Sequence, residues 1–424
     1  MASGEFYSQH VLPHSLFQLT SQQTVLMLNE TLLRAGRRTF LLCTGLLILT
    51  ASALGVNEAW AQNPEQTPRA ARPPVVPETP EFKAASDALR EHLKQMREVM
   101  VHYNTELPNL PQDREMREQW FELLSQGVPI FQRMIAAAVA EYQRSPNPTG
   151  PLGTMLWDTF DRRTKVDLYE GMLPVGQALL ASGYEKPELP SAIVRTAYAM
   201  NEFDAVRQLA PQLTGDADTS PQVEDILEEV EEFEALWAAE LAAREQDAQG
   251  PPLPRVLMKT TKGDIELELF ENQAPETVAN FISLVESGFY EGLIFHRVLE
   301  HFMAQTGCPI GDGSGSPGYR IYGEADKPDA RKFFRGTLGM ALAGEPNSGG
   351  SQFFITFLPN TYLNGTYTAF GRVTKGIEVL GHLVRVDPES DEEEKKKPSQ
   401  PLDEIISIEV LSKRGHDYVP HKVK

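Results

Sequence analysis

Hydrophobic residues between positions 81 and 248 recur at steps of three and four, the spacing that places side chains on one face of an α-helix. The first stripe comprises Phe82, Ala85, Leu89, Leu93, Met96, Met100 and Tyr103. A second stripe, on a strongly acidic stretch, comprises Val223, Ile226, Val230, Phe233, Trp237 and Leu241. The pattern predicts an all-α domain of helical hairpins over residues 81–248, with these positions in its core rather than around a cofactor.

Two segments between these stripes, at 166–184 and 192–213, loosely resemble tetratricopeptide repeats. Alanine-rich turns at Gly183-Tyr184 and at 201–204 carry this resemblance, but no clean repeat period is present. The helical domain is therefore only a candidate solenoid. It is also the candidate site for a protein partner.

The periodicity changes after the sequence DAQGPPLP at 247–254, where glycine and proline end the helical pattern. The sequence IELEL at 265–269 alternates hydrophobic and acidic residues, as expected of a β-strand. Pro275 suits the first turn of a helix that Gly288 would end. Short β-segments separated by glycine turns then continue to residue 413. The predicted divisions are a linker at 249–254, a β-rich domain at 255–414 and a C-terminal tail at 415–424.

An export signal is predicted near the N-terminus. The sequence at 34–61 has a positively charged start, an apolar run at 40–54 and an Ala-x-Ala pattern at its end, which are the three parts of a secretory signal in order. The apolar run is short for a membrane span, which takes ~20 residues. RRTFL within it resembles a twin-arginine signal, so general-secretory and twin-arginine export both stay open.

Residues 1–61 are accordingly predicted to be a signal/export segment, with a true start at Met27 accounting for the long and mixed residues 1–26. The proline-rich stretch at 62–80 is expected to form a semi-rigid linker. The mature protein is expected to be exported, periplasmic or extracytoplasmic, and without stable membrane insertion. Retention of the signal would instead leave a membrane-anchored form.

Composition and the absence of familiar motifs exclude several classes of function. The net charge of −20 argues against nucleic-acid binding, because neutralising phosphates requires a basic face. Two cysteines, Cys43 and Cys308, cannot build a disulfide framework. His296 and His301 have no clustered carboxylate or cysteine partners, so no metal site is expected. The charge run ESDEEEKKK at 389–397 is interpreted as a solvated loop.

Four segments of the β-rich domain resemble successive signature motifs of the cyclophilins, which are peptidyl-prolyl cis-trans isomerases. They are IFHRVLEHFMAQTG, GYRIYGE, GTLGMALAGEPNSGGSQFFIT and YLNGTYTAFGRV. The resemblance runs in register from 255 to 414 and leaves the helical domain unassigned. It implies a closed antiparallel eight-stranded β-barrel capped by two helices, with proline-containing polypeptides as partners and no cofactor or ATP.

The same resemblance implies roles for individual residues. Arg297 would donate a hydrogen bond to the prolyl nitrogen, and Gln305 would orient its guanidinium. Phe302, Met303, Phe354 and Leu363 would form the proline pocket. Further substrate-groove positions would be Gly313, Ala341, Leu342, Ala343, Gln352, Tyr362 and Tyr367. Phe302, with Arg297 and Gln305, is placed in the catalytic group.

Three positions depart from the family pattern. Tyr362 stands where many members have tryptophan, which bears on binding of the family inhibitor cyclosporin. Tyr367 stands where the eukaryotic archetype has a pocket histidine, and Leu342 replaces an asparagine. Because Arg297 is kept, the expected function is isomerisation of Xaa-Pro bonds in exported proteins. The alternatives are a proline-peptide binding module or chaperone with little turnover, and an assembly scaffold led by the helical domain.

The pocket positions all follow the proline-glycine boundary. This placement predicts that residues 250–424 fold and act on short peptides alone.

Overall fold

The computed structural model describes residues 78–106, 110–213, 221–390, 392 and 401–423. The predicted signal, most of the proline-rich linker and most of the charge run at 389–397 lie outside these ranges, so their predictions stay untested.

The N-terminal part of the described chain is helical, as the periodicity predicts. Its helices are α1 (Pro80–Glu106), α2 (Leu110–Arg144), α3 (Pro151–Lys165), α4 (Leu173–Ala181), α5 (Leu189–Ala199), α6 (Phe203–Leu209) and α7 (Pro221–Gln249). Prolines at the first or second position begin α3, α4 and α5, where a missing backbone N–H costs nothing. The sequence therefore fixes where these short helices start.

Helix α2 supplies the N-terminal domain with a long core face. Met134, Ile135, Ala138 and Tyr142 are buried in one cluster with residues of α3 to α7. Within the described residues, Glu115–Arg144 is long and apolar enough to cross a membrane by length and composition alone. The helix packs one face against neighbouring helices, while most residues of its apolar window are not buried.

The C-terminal part is a curled antiparallel sheet with two helices. Its strands are β1 (Arg255–Thr260), β2 (Gly263–Leu269), β3 (Arg297–Leu299), β4 (Met303–Thr306), β5 (Thr337–Met340), β6 (Phe353–Thr356), β7 (Ala369–Lys375) and β8 (Ile405–Ser412). The helices are α8 (Pro275–Glu286) and α9 (Ile377–Gly381). This architecture confirms the predicted eight strands and two capping helices.

The strands lie in the order β3-β4-β6-β5-β7-β2-β1-β8. Hydrogen bonds between 292–295 and 403–405 join the stretch before β3 to the start of β8, so the two edges of the curled sheet meet at this end. Alternation along β6 separates two environments. Phe353 and Ile355 lie in the barrel core, while Phe354 belongs to a separate cluster on the opposite face.

The helical domain and the barrel share buried contacts. Arg331, 5% exposed, donates hydrogen bonds to Glu240 and Asp247 of α7 at distances of 2.6 to 2.7 Å. Phe334 of the barrel lies in the helical core cluster. Separating the two parts would remove the carboxylate partners of Arg331 and expose the ring of Phe334 to water. The prediction that residues 250–424 fold and act on short peptides alone stays a prediction, and it did not include these contacts with the helical domain.

The C-terminal tail is held against the barrel. Tyr418 is buried and donates a hydrogen bond to Glu271 at 2.7 Å. The Lys422 ammonium lies 3.9 Å from the centre of the Tyr319 ring, and the N–H of Val423 donates to the carbonyl of Arg320 at 2.9 Å. The tail thus packs on the GYRIYGE segment.

Candidate active site

Arg297, Gln305 and Phe354 stand side by side across three neighbouring strands. Arg297 of β3 is paired in register with Gln305 of β4, and Gln305 is paired with Phe354 of β6. Directly opposite residues in antiparallel strands place their side chains on the same face, with Cβ atoms about 4.5–5.5 Å apart. The fold therefore brings together a cation, an amide and an aromatic ring that are distant in sequence.

An apolar pocket adjoins this row. Met303, Phe354 and Leu363 are buried in one cluster, with Phe302 and Tyr367 packed at its partly buried edge. The ring of Tyr367 meets that of Phe354 edge-on, with centroids 5.5 Å apart and an interplanar angle of 87°. The structure thus brings together every residue that was predicted for the proline pocket.

Gly339 makes room for the ring of Phe354. The two residues are paired in register on β5 and β6, and a Cβ atom at Gly339 would lie 2.3 Å from Cζ of Phe354. Real Cβ atoms do not approach a ring this closely, so any side chain at Gly339 would displace Phe354. The glycine therefore leaves room over β5 for the ring that forms the floor of the pocket.

Gln352 organises the polar side of the groove. Its Nε2 donates hydrogen bonds to the carbonyls of Gly313 and Gly315 at 2.7 and 2.8 Å, and its backbone carbonyl accepts from Ala341 N–H at 3.0 Å. Gln305 Nε2 donates to Gln352 Oε1 at 2.9 Å. In the structure the Gln305 amide therefore bonds to Gln352, whereas the family resemblance implies that Gln305 orients Arg297.

The guanidinium of Arg297 meets an acidic residue. It donates a hydrogen bond to Oε2 of Glu389 at 3.1 Å, and its Nε is buried without a hydrogen-bond partner. The Glu389 side chain is 76% exposed, so the pair is open to water. Arg297 consequently keeps donor capacity, while part of it is engaged by the beginning of the charge run.

The remaining predicted residues border the same region. Ala343 N–H donates to the Ser348 hydroxyl at 2.7 Å, which shapes the loop that also carries half-buried Leu342. Tyr362, in a 3-10 turn at Thr361–Leu363, is 73% exposed. Its phenol is therefore accessible to a bound molecule.

His296 lies beside this groove and is buried. Burial lowers the pKa of its imidazole. No group of three or more His, Cys, Asp or Glu side chains that could hold a metal ion occurs in the part of the chain that the structure describes.

Comparison with known proteins identifies this arrangement. The model of the family "Cyclophilin type peptidyl-prolyl cis-trans isomerase/CLD" matches residues 255–410. A peptidyl-prolyl cis-trans isomerase of Helicobacter pylori is 48% identical over 133 residues, which cover 31% of this chain and 80% of that protein. The chain belongs to the cyclophilin family. Its cyclophilin domain is thus of the peptidyl-prolyl cis-trans isomerase class.

Other relatives cover different shares of the chain. Peptidyl-prolyl cis-trans isomerase B of Bacillus subtilis is 51% identical over 124 residues, 29% of this chain and 85% of that protein. Peptidyl-prolyl cis-trans isomerase cyp15 of Rhizopus delemar is 36% identical over 233 residues, 53% of this chain. Those residues are 34% of cyp15, so the chain spans about a third of that relative's length.

Among solved structures, a cyclophilin type peptidyl-prolyl cis-trans isomerase of Cryptosporidium parvum is similar with 35% identity and a TM-score of 0.34. The match covers 38% of this chain and 99% of that one.

Two residues near the site were not predicted from sequence. Phe333, fully buried, stacks on Phe354 with ring centroids 5.6 Å apart and so backs the pocket floor. Glu389, interpreted as part of a solvated loop, contacts Arg297. The two adjacent aromatic residues in KFFRG were a sequence signal for Phe333. The charge run contains no signal for the contact of Glu389, because that contact joins residues 92 positions apart.

Proposed function

We propose that the chain catalyses cis–trans rotation about Xaa-Pro bonds in exported proteins and thereby assists their folding. The observation that carries the proposal is the row of Arg297, Gln305 and Phe354 beside the apolar cluster of Met303, Phe354 and Leu363. Uncatalysed rotation takes about 10–100 s at 25 °C, because it breaks amide resonance. Since no bond to a heavy atom forms or breaks, the reaction calls for positioned donors and apolar surface rather than a nucleophile.

Each part of the site has a role in this reaction. The prolyl ring would rest on Phe302, Met303, Phe354 and Leu363. Arg297 would donate to the prolyl nitrogen as that atom becomes pyramidal and gains a lone pair. This donor stabilises the twisted amide more than either planar form, which is what lowers a barrier. Gln352 would hold the glycine loop along which the preceding residues lie.

The catalytic role of Arg297 is tested by substitution. Arg297→Ala should lower kcat/KM on the order of 10²–10³-fold, the usual effect of losing one positioned electrostatic donor. Arg297→Lys should recover only part of this loss, because an ammonium lacks the planar fork. Arg320→Ala, at an exposed arginine of the same domain, is the control.

Activity would be followed by NMR exchange between cis and trans forms of a proline tetrapeptide with the full chain. Full activity in folded Arg297→Ala would remove the arginine from the mechanism. Peptide binding without exchange by the unmodified chain would favour the alternative of a proline-peptide binding module.

Export is the second part of the proposal, supported by the signal-like sequence at 34–61. N-terminal sequencing of protein from the native host should find Gln62 as the first residue. A first residue before position 34 would show that the signal is retained and would favour a membrane-anchored form.

A further inference from the structure

The helical domain contacts the barrel at the turn between β3 and β4, beside the proline pocket. Asp167, which follows α3 and is 1% exposed, accepts hydrogen bonds from the backbone N–H of His301 at 3.1 and 3.3 Å. Nδ1 of His301 lies 2.9 Å from the same carboxylate, and Arg385 donates to it at 2.8 Å. His301 immediately precedes Phe302, so Asp167 reaches the turn from which this pocket wall projects.

The backbone of this turn needs support. His301 has φ 58°, a left-handed conformation that is uncommon among residues other than glycine. Asp167 supplies that support through both the backbone and the side chain of His301. Without its carboxylate, the turn would relax toward an ordinary backbone conformation and shift Phe302.

A second contact lies behind the pocket floor. Phe334 packs into the helical domain, with ring centroids 5.9 Å from Phe233 and 4.9 Å from Trp237. The preceding residue, Phe333, faces the other way and stacks on Phe354. Because the two are adjacent in the chain, the helical core that holds Phe334 also fixes the ring beneath Phe354.

A third contact lies at the opposite wall. The hydroxyl of Thr361 donates a hydrogen bond to Glu229 of α7 at 2.7 Å. Thr361 begins the 3-10 turn that carries Tyr362 and the buried pocket residue Leu363. The helical domain therefore touches the segments that carry Phe302 and Leu363, and also the segment whose Phe333 ring backs Phe354.

We infer that the helical domain is part of the catalytic unit, with Asp167 as a positioning residue that holds the β3–β4 turn in its active conformation. The inference rests on the proposed isomerase function of the cyclophilin domain. Displacing a catalytic or binding wall by about 1 Å can cost on the order of 10²-fold in rate. The isolated fragment 250–424 should consequently be a poorer isomerase than the full chain, even toward short peptides.

The test uses Asp167→Asn in the full chain, which keeps the shape of the side chain but removes its charge and one acceptor. Its kcat/KM for a proline tetrapeptide should fall roughly 10- to 100-fold. The matched control is Asp247→Asn, also a buried carboxylate of the helical domain bonded to an arginine of the barrel. Arg331 keeps its two bonds to Glu240, so the control should stay within about twofold of the unmodified chain.

A rescue variant separates positioning from general stability. Glycine adopts positive φ without strain, so Asp167→Asn combined with His301→Gly should regain activity that the single variant has lost. If Asp167 served only to fasten the domains together, removing the His301 side chain as well would weaken the contact further. A double variant no more active than Asp167→Asn, or a single variant as active as Asp247→Asn, would overturn the inference.

Two further measurements keep the outcomes distinct. If Asp167→Asn does not fold, Thr361→Val takes its place as the test. This variant removes the hydrogen bond to Glu229 with little change in shape and should lower kcat/KM several-fold. Unchanged activity in Thr361→Val would count against the inference. If the unmodified chain binds the tetrapeptide but does not isomerise it, the proposed function fails. The same variants, compared by NMR titration for peptide affinity, would then still test whether the helical domain shapes the pocket.

Discussion

The pair between Arg297 and Glu389 makes a quantitative prediction about catalysis. The Glu389 carboxylate engages one donor of Arg297 and offsets part of the positive charge that would face a prolyl nitrogen. Exposed ion pairs of this kind contribute about 0.2–1 kcal/mol. Glu389→Gln should therefore raise kcat/KM by roughly 1.4- to 5-fold, the factor to which that energy corresponds at 25 °C.

The assay is NMR exchange with an uncharged proline tetrapeptide, at low salt and at about 1 M salt. The Debye length falls to about 3 Å at 1 M, which screens an exposed pair. The gain should accordingly be largest at low ionic strength and nearly vanish at high salt. Glu300→Gln, at an exposed glutamate of the β3–β4 turn, makes the same change in net charge and should give no gain.

Three results would refute this reasoning. One is a Glu389→Gln variant with unchanged kcat/KM at low salt. The second is a gain that persists at 1 M salt, which would indicate altered structure rather than a released charge. The third is an equal gain in Glu300→Gln, which would indicate a general effect of net charge.

Three more predictions follow from other contacts. Tyr362→Trp should tighten inhibition by cyclosporin about 2- to 12-fold through one added hydrogen bond while changing kcat/KM only slightly, and inhibition titrations that show no gain would remove Tyr362 from the assigned position. Phe334→Ala should lower the free energy of unfolding of the full chain by about 3–5 kcal/mol in urea titrations, whereas a loss below about 1 kcal/mol would contradict burial of this ring in the helical core. Burial alone would raise the pKa of Asp167, but the hydrogen bond and charge of His301, with Arg385, hold it below its ordinary value of 3.8. This group thus stabilises the folded state at pH above that value and ceases to do so as pH falls below it, so Tm measured from pH 6 to pH 2.5 should fall less steeply for Asp167→Asn than for the unmodified chain.

Much of the fold was predictable because the periodicity of each element is local. Alternation at 265–269 predicted β2, and Pro275 predicted the start of α8, as the structure confirms. The pocket residues were reached through a family resemblance, and only the pairing of β3, β4 and β6 explains why they lie together. The pairing of β4 with β6 joins residues about fifty positions apart, which no local pattern encodes.

The contacts between the domains could not be predicted from these patterns. Phe333 and Phe334 are identical neighbours in sequence, yet one ring backs the pocket and the other enters the helical core. Asp167 likewise looked like one acidic residue among many on an acidic chain. Its role depends on left-handed conformations at two distant positions, Asp167 itself and His301, which only the folded chain displays.

The insertion of Phe334 into the helical core has a consequence during synthesis. Phe233 and Trp237, which contact Phe334 in the folded chain, leave the ribosome about a hundred residues before Phe334 does. At the usual 5–20 residues per second, that surface waits about 5–20 s for its partner ring. During this interval the nascent helical domain exposes the aromatic surface that Phe334 later covers, and general chaperones bind such surfaces. Slowing translation between these positions should therefore lengthen chaperone association and raise the fraction of chain that aggregates.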